Sequence, residues 1–272
     1  MGAENYTLGK GILYFNRYNP DTKTYSGWRD LGNAPSFSFT VNIEKLEHFS
    51  SRGGLRVKDK EIISQLTPSC SFTLDEITAE NFGILGLAKV DDMTQAAETG
   101  VEDTITADQI KKNEKLFLSN HHIIYETNGT NPKRPKVYVG ASTGTPLVEG
   151  VDWIMTTEDA KMGQIVIVDT STDVAAALSG TDAFTVVYDC AASTLKKIQL
   201  FAETQITGKL KFVSDNPTGT QCTFLAKNVS LTPSGDTAFI GDDWSTLSFS
   251  AECLKSTDSA DVDSPYIDIE ME

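Results

Sequence analysis

The run Leu31-Gly32-Asn33-Ala34-Pro35-Ser36-Phe37-Ser38-Phe39-Thr40-Val41-Asn42-Ile43 decides the fold. Phe37, Phe39, Val41 and Ile43 alternate with Ser36, Ser38, Thr40 and Asn42. Period two over this length means a half-buried strand with one apolar and one polar face. The pattern continues through Glu44-Lys45-Leu46-Glu47-His48-Phe49 and crosses Ser50-Ser51-Arg52-Gly53-Gly54-Leu55-Arg56-Val57. It then returns as a second alternating run ending Cys70-Ser71-Phe72-Thr73-Leu74. Two such runs joined by a Gly-bearing segment read as one long β-hairpin. The period changes at Asp75. Ile77, Asn81, Ile84, Leu85 and Ala88 share one helical face, and acidic residues fall in the first turn, where they suit the helix dipole. This predicts a short helix over 75–88, which Gly83 and Gly86 weaken unless it packs on a sheet.

Working outward, Leu8–Phe15 reads as a strand, Tyr18–Gly27 as a turn rich in Asn, Pro, Asp and Gly, and Trp28 as another strand start. Residues 89–115 carry Asp91, Asp92, Glu98, Glu102, Asp103 and Asp108 with few large apolar side chains, and read as a loop or a weakly ordered segment. From Leu116 to Asp189 the apolar runs are short and turn-punctuated, as in a sandwich or an elaborated sheet. They include Leu116–Leu118, Ile123–Tyr125, Val137–Val139, Glu149–Ile154, Gln164–Val168 and Phe184–Tyr188, with one or two helical turns at Asp173–Leu178. Alternation is clear again in Ile198–Glu203, Gly208–Val213, Cys222–Leu231 and Leu247–Cys253. The tail after Lys255 holds Asp258, Asp261, Asp263, Asp268, Glu270 and Glu272 without a base, so it is either solvated or paired with a basic partner. The expected organisation is residues 1–115 and 195–255 as the two parts of one β-sandwich, 116–194 as a strand-rich insertion or extension, and 256–272 as an acidic tail.

Composition bounds the function. The 272 residues are 39% hydrophobic, enough for a real core. There is no uninterrupted apolar run of about 18 residues, which argues against membrane insertion. Met1–Tyr6 lacks the basic start and apolar core of a secretory signal, so the expectation is a protein made and left in a cytoplasm. Cys70, Cys190, Cys222 and Cys253 lie far apart beside apolar strand runs, which suits reduced core thiols better than a disulfide framework or a zinc site. A net charge of -15 opposes binding to phosphates, which requires clustered Lys and Arg. The same charge serves solubility, or a conduit in which DNA slides without sticking.

Several short motifs, in this order, resemble the major tail tube proteins of long-tailed, non-contractile bacteriophages. They are Leu31-Gly32-Asn33, Leu46-Glu47-His48-Phe49-Ser50-Ser51 with Gly53-Gly54, Leu74-Asp75-Glu76-Ile77-Thr78-Ala79-Glu80-Asn81, and Leu231-Thr232-Pro233-Ser234-Gly235 followed by Gly241-Asp242-Asp243-Trp244. The resemblance covers roughly residues 8–88 and 195–255. It implies a mainly β, tail-tube-type β-sandwich with a flanking short α-helix and a long β-hairpin, six copies of which close into a ring. The rings stack into a tube that carries DNA passively from the virion to the host. The implied location is the virion tail, after synthesis in the host cytoplasm. The implied partners are further copies of the chain and the tape measure, terminator and distal tail proteins. By the same resemblance, the loop Ser50, Ser51, Arg52, Gly53, Gly54, Leu55, Arg56 and Val57 reaches the neighbouring ring, and Ser36, Ser38, Thr40 and Asn42 face the lumen. Shared sheets would remove the open strand edges that otherwise aggregate.

Nothing in the sequence points to catalysis, a cofactor or a metal. There is no Gly-x-Ser-x-Gly, phosphate loop, His-Glu-x-x-His or paired-Cys motif. His121 and His122 are adjacent and, on a strand, would face opposite ways. Asp258, Asp261 and Asp263 lack the Gly and distal Glu of a calcium loop. His48 reads either as a ring-contact residue or as a solvated loop histidine. Arg52 and Arg56 stand out on an acidic chain and suit acidic residues of the next subunit. The rival reading is a carbohydrate-binding or adhesive β-sandwich, with Tyr125, Tyr138 and Trp153 as aromatic platforms, although strand core is the preferred account of those three residues. An acidic hydrolase is a third, with no specific carboxylate pair to carry it.

Overall fold

The computed structural model describes residues 6–111, 114–126, 128, 133–168, 171–256, 258, 261 and 263–272. The chain divides into two compact units, Met1–Asp91 with Ile198–Glu272, and Asp92–Lys197. It is mainly β, with several antiparallel sheets. In chain order the first elements are β1 (Gly11–Asn19), β2 (Thr24–Tyr25), β3 (Arg29–Asp30), β4 (Ser36–Ser50), β5 (Val57–Leu74) and α1 (Ala79–Leu85). Then follow β6 (Lys89–Gln95), β7 (Glu98–Ile105), a 3-10 turn at Ala107–Gln109, β8 (Lys115–Phe117), β9 (Lys136–Val139), β10 (Trp153–Ile154), α2 (Thr157–Met162), β11 (Gln164–Ile167), α3 (Thr172–Gly180) and β12 (Phe184–Cys190). The chain closes with β13 (Ser193–Gln199), β14 (Ile206–Ser214), β15 (Cys222–Pro233), β16 (Leu247–Cys253) and β17 (Ile267–Met271).

The first unit is one nine-stranded sheet in the order β2-β1-β14-β15-β16-β5-β4, with β3 on β1 and β17 on β15. The sheet curls onto itself. Phe37 of β4 stacks on Phe212 of β14, four strands away in the order, and meets Phe224 of β15 edge-on, both at 5.3 Å. Inside the curl the residues dictated by alternation are buried: Leu13, Phe15, Cys70, Phe72, Leu74, Leu210, Phe224, Leu231, Phe249 and Ala251. Cys70 and Cys253 touch there as free thiols, and the hydrogen bond that Cys70 donates to Cys253, together with burial, pushes the Cys70 thiol upward.

The predicted helix is present but shorter. Thr78 caps it by accepting from the Asn81 amide at 3.1 Å, so the helix starts at Ala79. Ile77, ahead of the cap, is exposed, while Ile84 and Ala88 are buried as the periodicity requires. Asn81 is almost fully buried and joins three segments. Its side chain accepts from Arg29 at 2.8 Å and donates to the carbonyls of Leu31 (2.8 Å) and Glu76 (3.0 Å). Beside it Asn33 donates to the Asp75 carboxylate at 2.8 Å, and Gly32 adopts φ 84°, a left-handed conformation that suits glycine. The Leu31-Gly32-Asn33 and Asp75–Asn81 motifs are thus one polar clasp at the root of the hairpin.

Several further readings of the sequence are changed by the structure. Residues 89–115 are not loop. Among the described residues they form β6, β7 and the 3-10 turn, because their carboxylates have partners: Asp92 with Lys196, Glu102 with Ser142, and Asp103 with Ser119 and Tyr188. Residues 112 and 113 of that segment lie outside the description. The strand expected over Ile198–Glu203 lies earlier, at β13, and the chain turns at Phe201 with φ 58°. His121 and His122 sit in a bend rather than a strand, where the Gln95 side chain accepts from the His121 amide at 2.9 Å. Of the two readings of the acidic tail, pairing with a base holds for Asp261 and Asp268, and the base is this chain's own Lys227. The tail's Ile267, Ile269 and Met271 alternate with Asp268 and Glu270 and pair with β15, and Lys227 reaches Asp261 and Asp268 at 2.8 Å each. These contacts hold both carboxyls below, and the Lys227 ammonium above, their ordinary values.

The second unit holds two three-stranded sheets, β10-β11-β8 and β7-β12-β9, around Trp153, Ile165, Ile167, Val174, Phe184 and Val186. Ile123–Tyr125, read as a strand, contributes only an isolated bridge from Ile123 to Cys190. β6 and β13 pair as a two-stranded ribbon through which the chain passes from one unit to the other and back. No helix among the described residues is long and apolar enough to cross a membrane.

Candidate assembly surface

β4 and β5 remain paired from Ser36–Thr73 to Ser50–Val57, but only their proximal halves belong to the core. Along β4, Phe37 is half-buried, and every residue from Ser38 to Phe49 is exposed. From Val41 to Ser50 the ribbon projects about 30 Å at roughly 3.3 Å per residue. The apolar face is therefore split. Phe37 packs on the core, whereas Phe39, 43% exposed though 5.7 Å from the Phe224 ring, and Val41 and Ile43 are open to solvent. The reading of this apolar face as the buried one holds for Phe37 and fails from Phe39 outward, because no second layer of the curled sheet extends over the arm.

A bulge between Glu44 and Lys45 leaves Ser64 unpaired and resets the ribbon. Beyond it Leu46, on the serine side of β4, stands opposite Ile62, and Ile63 opposite Lys45. Leu46 is 63% exposed and Ile63 61%. Both faces of the distal arm thus carry open apolar side chains. A two-stranded ribbon of this kind is marginal alone in water. Its charges brace it across the strands: Lys58 with Glu47 and Glu61, Lys45 with Glu61 at 2.5 Å, and His48 with Asp59 at 2.5 Å. The two lysines hold the Glu61 carboxyl down at about 2. His48 is therefore a cross-strand partner rather than a free loop histidine. At the tip Ser51 to Val57 are exposed, and the Arg56 guanidinium lies 5.5 Å above the Phe49 ring.

On the side opposite the core the registers line up hydroxyls across four strands. Ser36, Thr73 and Ser248 form one row, Ser38, Ser71, Ser250 and Thr232 the next, and Thr40, Ser69, Glu252 and Ser230 a third. Ser38 and Ser71 meet at 2.7 Å. Asn42 continues the face opposite Thr67. These rows contain no Lys or Arg, and apart from Ser230, which is buried, they present a neutral-to-acidic polar pavement. The sequence named only its β4 members; the partners on β5, β15 and β16 follow from register.

A second exposed feature was named only as a motif. The connection from β15 to β16, residues 234–246, carries Phe239 (80% exposed), Ile240 (96%) and Trp244 (93%) among Asp236, Asp242 and Asp243. It is fixed to α1 by the Phe82–Phe239 ring contact at 5.6 Å. Of the rival's platforms, Trp153 is buried in the core with its indole nitrogen donating to the Leu147 carbonyl, and Tyr125 is covered by Arg134 and bonded to Glu149.

Residues 6–270 match the model of a family described as Protein of unknown function UCP028589. The chain belongs to that family. The family match runs through both units, so the block from Asp92 to Lys197 is part of the span that defines it. No curated protein matches the chain.

Proposed function

We propose that this chain is the structural subunit of a self-assembling tube of the kind its sequence resembles, the tail tube of long-tailed, non-contractile phages. In this reading six copies close into a ring, rings stack, and DNA passes through the lumen on its way to the host. The observation that carries it is the naked distal arm: about 30 Å of ribbon with apolar side chains on both faces and nothing of its own chain over it. Such a ribbon is ordered by a partner, and an identical subunit supplies one at every position of a polymer. The hydroxyl rows opposite the core are the candidate lumen wall, since a surface without cations neither condenses on phosphates nor stalls their passage. The subunit works through geometry and electrostatics, without catalysis. The terminator, tape-measure and distal tail proteins implied by the resemblance would meet the ends of such a tube.

Electron microscopy of the purified protein, dilute and concentrated, tests this directly. Uniform hollow filaments or stacked rings are the expected result. Dispersed particles at all concentrations and salts, even with preformed tube ends added as initiators, would sink it.

A further inference from the structure

The two ends of the first unit are chemically opposite. β5 runs 18 residues from Val57 at the tip to Leu74, about 55 Å at roughly 3.3 Å per residue. Leu74 is in register with Leu247, and Pro233 with Phe249, so the 234–246 loop leaves the sheet at the end away from the tip. The tip offers Arg52 and Arg56 beside exposed Leu55; the loop offers Asp242 and Asp243 beside exposed Ile240 and Trp244. Among the described residues none of these four charges has an ion-pair partner, whereas Lys45, His48 and Lys58 behind the tip are all paired. The unpaired charges are of opposite sign at opposite ends, each with apolar surface next to it.

We infer that the 234–246 loop is the receiving site for the hairpin tip of a second copy of this chain. Leu55 packs against Ile240 and Trp244, the arginines pair with Asp242 and Asp243, and a guanidinium over the Trp244 face adds a cation–π contact. The contact is heterologous. Each copy gives one tip and receives one, so the interaction repeats along the β5 direction instead of closing in a symmetric pair. On a chain of net charge -15, copies repel at long range, and a local match of sign fixes which surfaces meet. The inference rests on the tube reading and names the partner of its arm.

Gly54 and Gly241 provide probes that remove no contact residue, because a Cβ at Gly54 meets nothing within 4 Å and one at Gly241 only Ala238 at 4.0 Å. Chains carrying Gly54→Cys and Gly241→Cys, mixed and oxidised with copper-phenanthroline, should yield a disulfide-linked species of twice the chain mass on a non-reducing gel. With the half-exposed Cys222 replaced by Ser in both, either chain alone should give little, since Cys70, Cys190 and Cys253 are buried. Arg52→Glu with Arg56→Glu, and separately Asp242→Lys with Asp243→Lys, should each raise the concentration needed for assembly by about tenfold, and the four changes together should restore it. Wild-type tubes without the mixed cross-link, or Gly54→Cys alone linking as well as the mixture, would overturn the loop assignment and leave the tube reading intact. The mixed cross-link without tubes would keep the contact and remove the tube.

Discussion

The proximal and distal halves of one hairpin have the same strands, the same alternation and opposite fates. At its root the ribbon is joined through β5 to β16, and Phe37 packs on Phe212 and Phe224; beyond Val41 it has neither neighbour nor cover. Alternation therefore specifies a strand and its two faces but not whether the apolar face is buried within the same chain. The distal half exposes what the proximal half hides, and that surplus apolar surface is the physical case for assembly.

The sharpest way to break the comparison is to injure each half in turn. Phe72→Ala, in the buried stack with Phe249, should cost the subunit about 4 kcal/mol in urea denaturation. Asn81→Ala should come next, at roughly 2–3 kcal/mol, since it strands Arg29 and two carbonyls at the root of the arm. Lys227→Met should loosen β17 without unfolding the unit, seen as faster amide exchange at Ile267–Met271 while β15 protection persists. By contrast Leu46→Ser with Ile62→Ser should change subunit stability by no more than about 0.5 kcal/mol yet abolish filaments in the microscope. A large stability loss from that pair would show that the arm is packed in the isolated chain.

The smallest effect concerns pH. Glu61 titrates at about 2 against an ordinary value of 4.5, so its bracing of the arm is fully present above pH 4.5 and is lost as pH falls towards 2. Amide exchange in 45–63 should accelerate over that window and leave β5 from Cys70 to Leu74 unaffected. Glu61→Gln should remove the difference.

Much of this architecture was legible locally. Alternation located β4, β5, β14, β15 and β16, and the change of period located α1. What misled was composition: the acidic residues of β7 and β17 disguise strands whose carboxylates are partnered by Ser119, Tyr188 and Lys227, groups distant in sequence. Of the candidate assembly surface, the position of the exposed tip and the polar alternation of β4 could be read from the chain. The bulge at Ser64 could not, because it is a property of the pairing: it brings Ile62 to the face that the first strand marks as polar, opposite Leu46, and turns Ile63 to the other face. Nor could the 234–246 loop, whose Phe239, Ile240 and Trp244 look like ordinary core residues until the fold leaves them uncovered.

By itself, then, the sequence determined the long alternating strands and their two faces, the presence of the short helix, and the surplus of negative charge, since each depends on neighbours a few residues away. Tertiary structure alone decided which apolar faces are covered, which carboxylates find a base, and that the basic tip and the acidic loop lie at opposite ends of one sheet. Those depend on the order and register of strands drawn from both ends of the chain, and no local pattern encodes them.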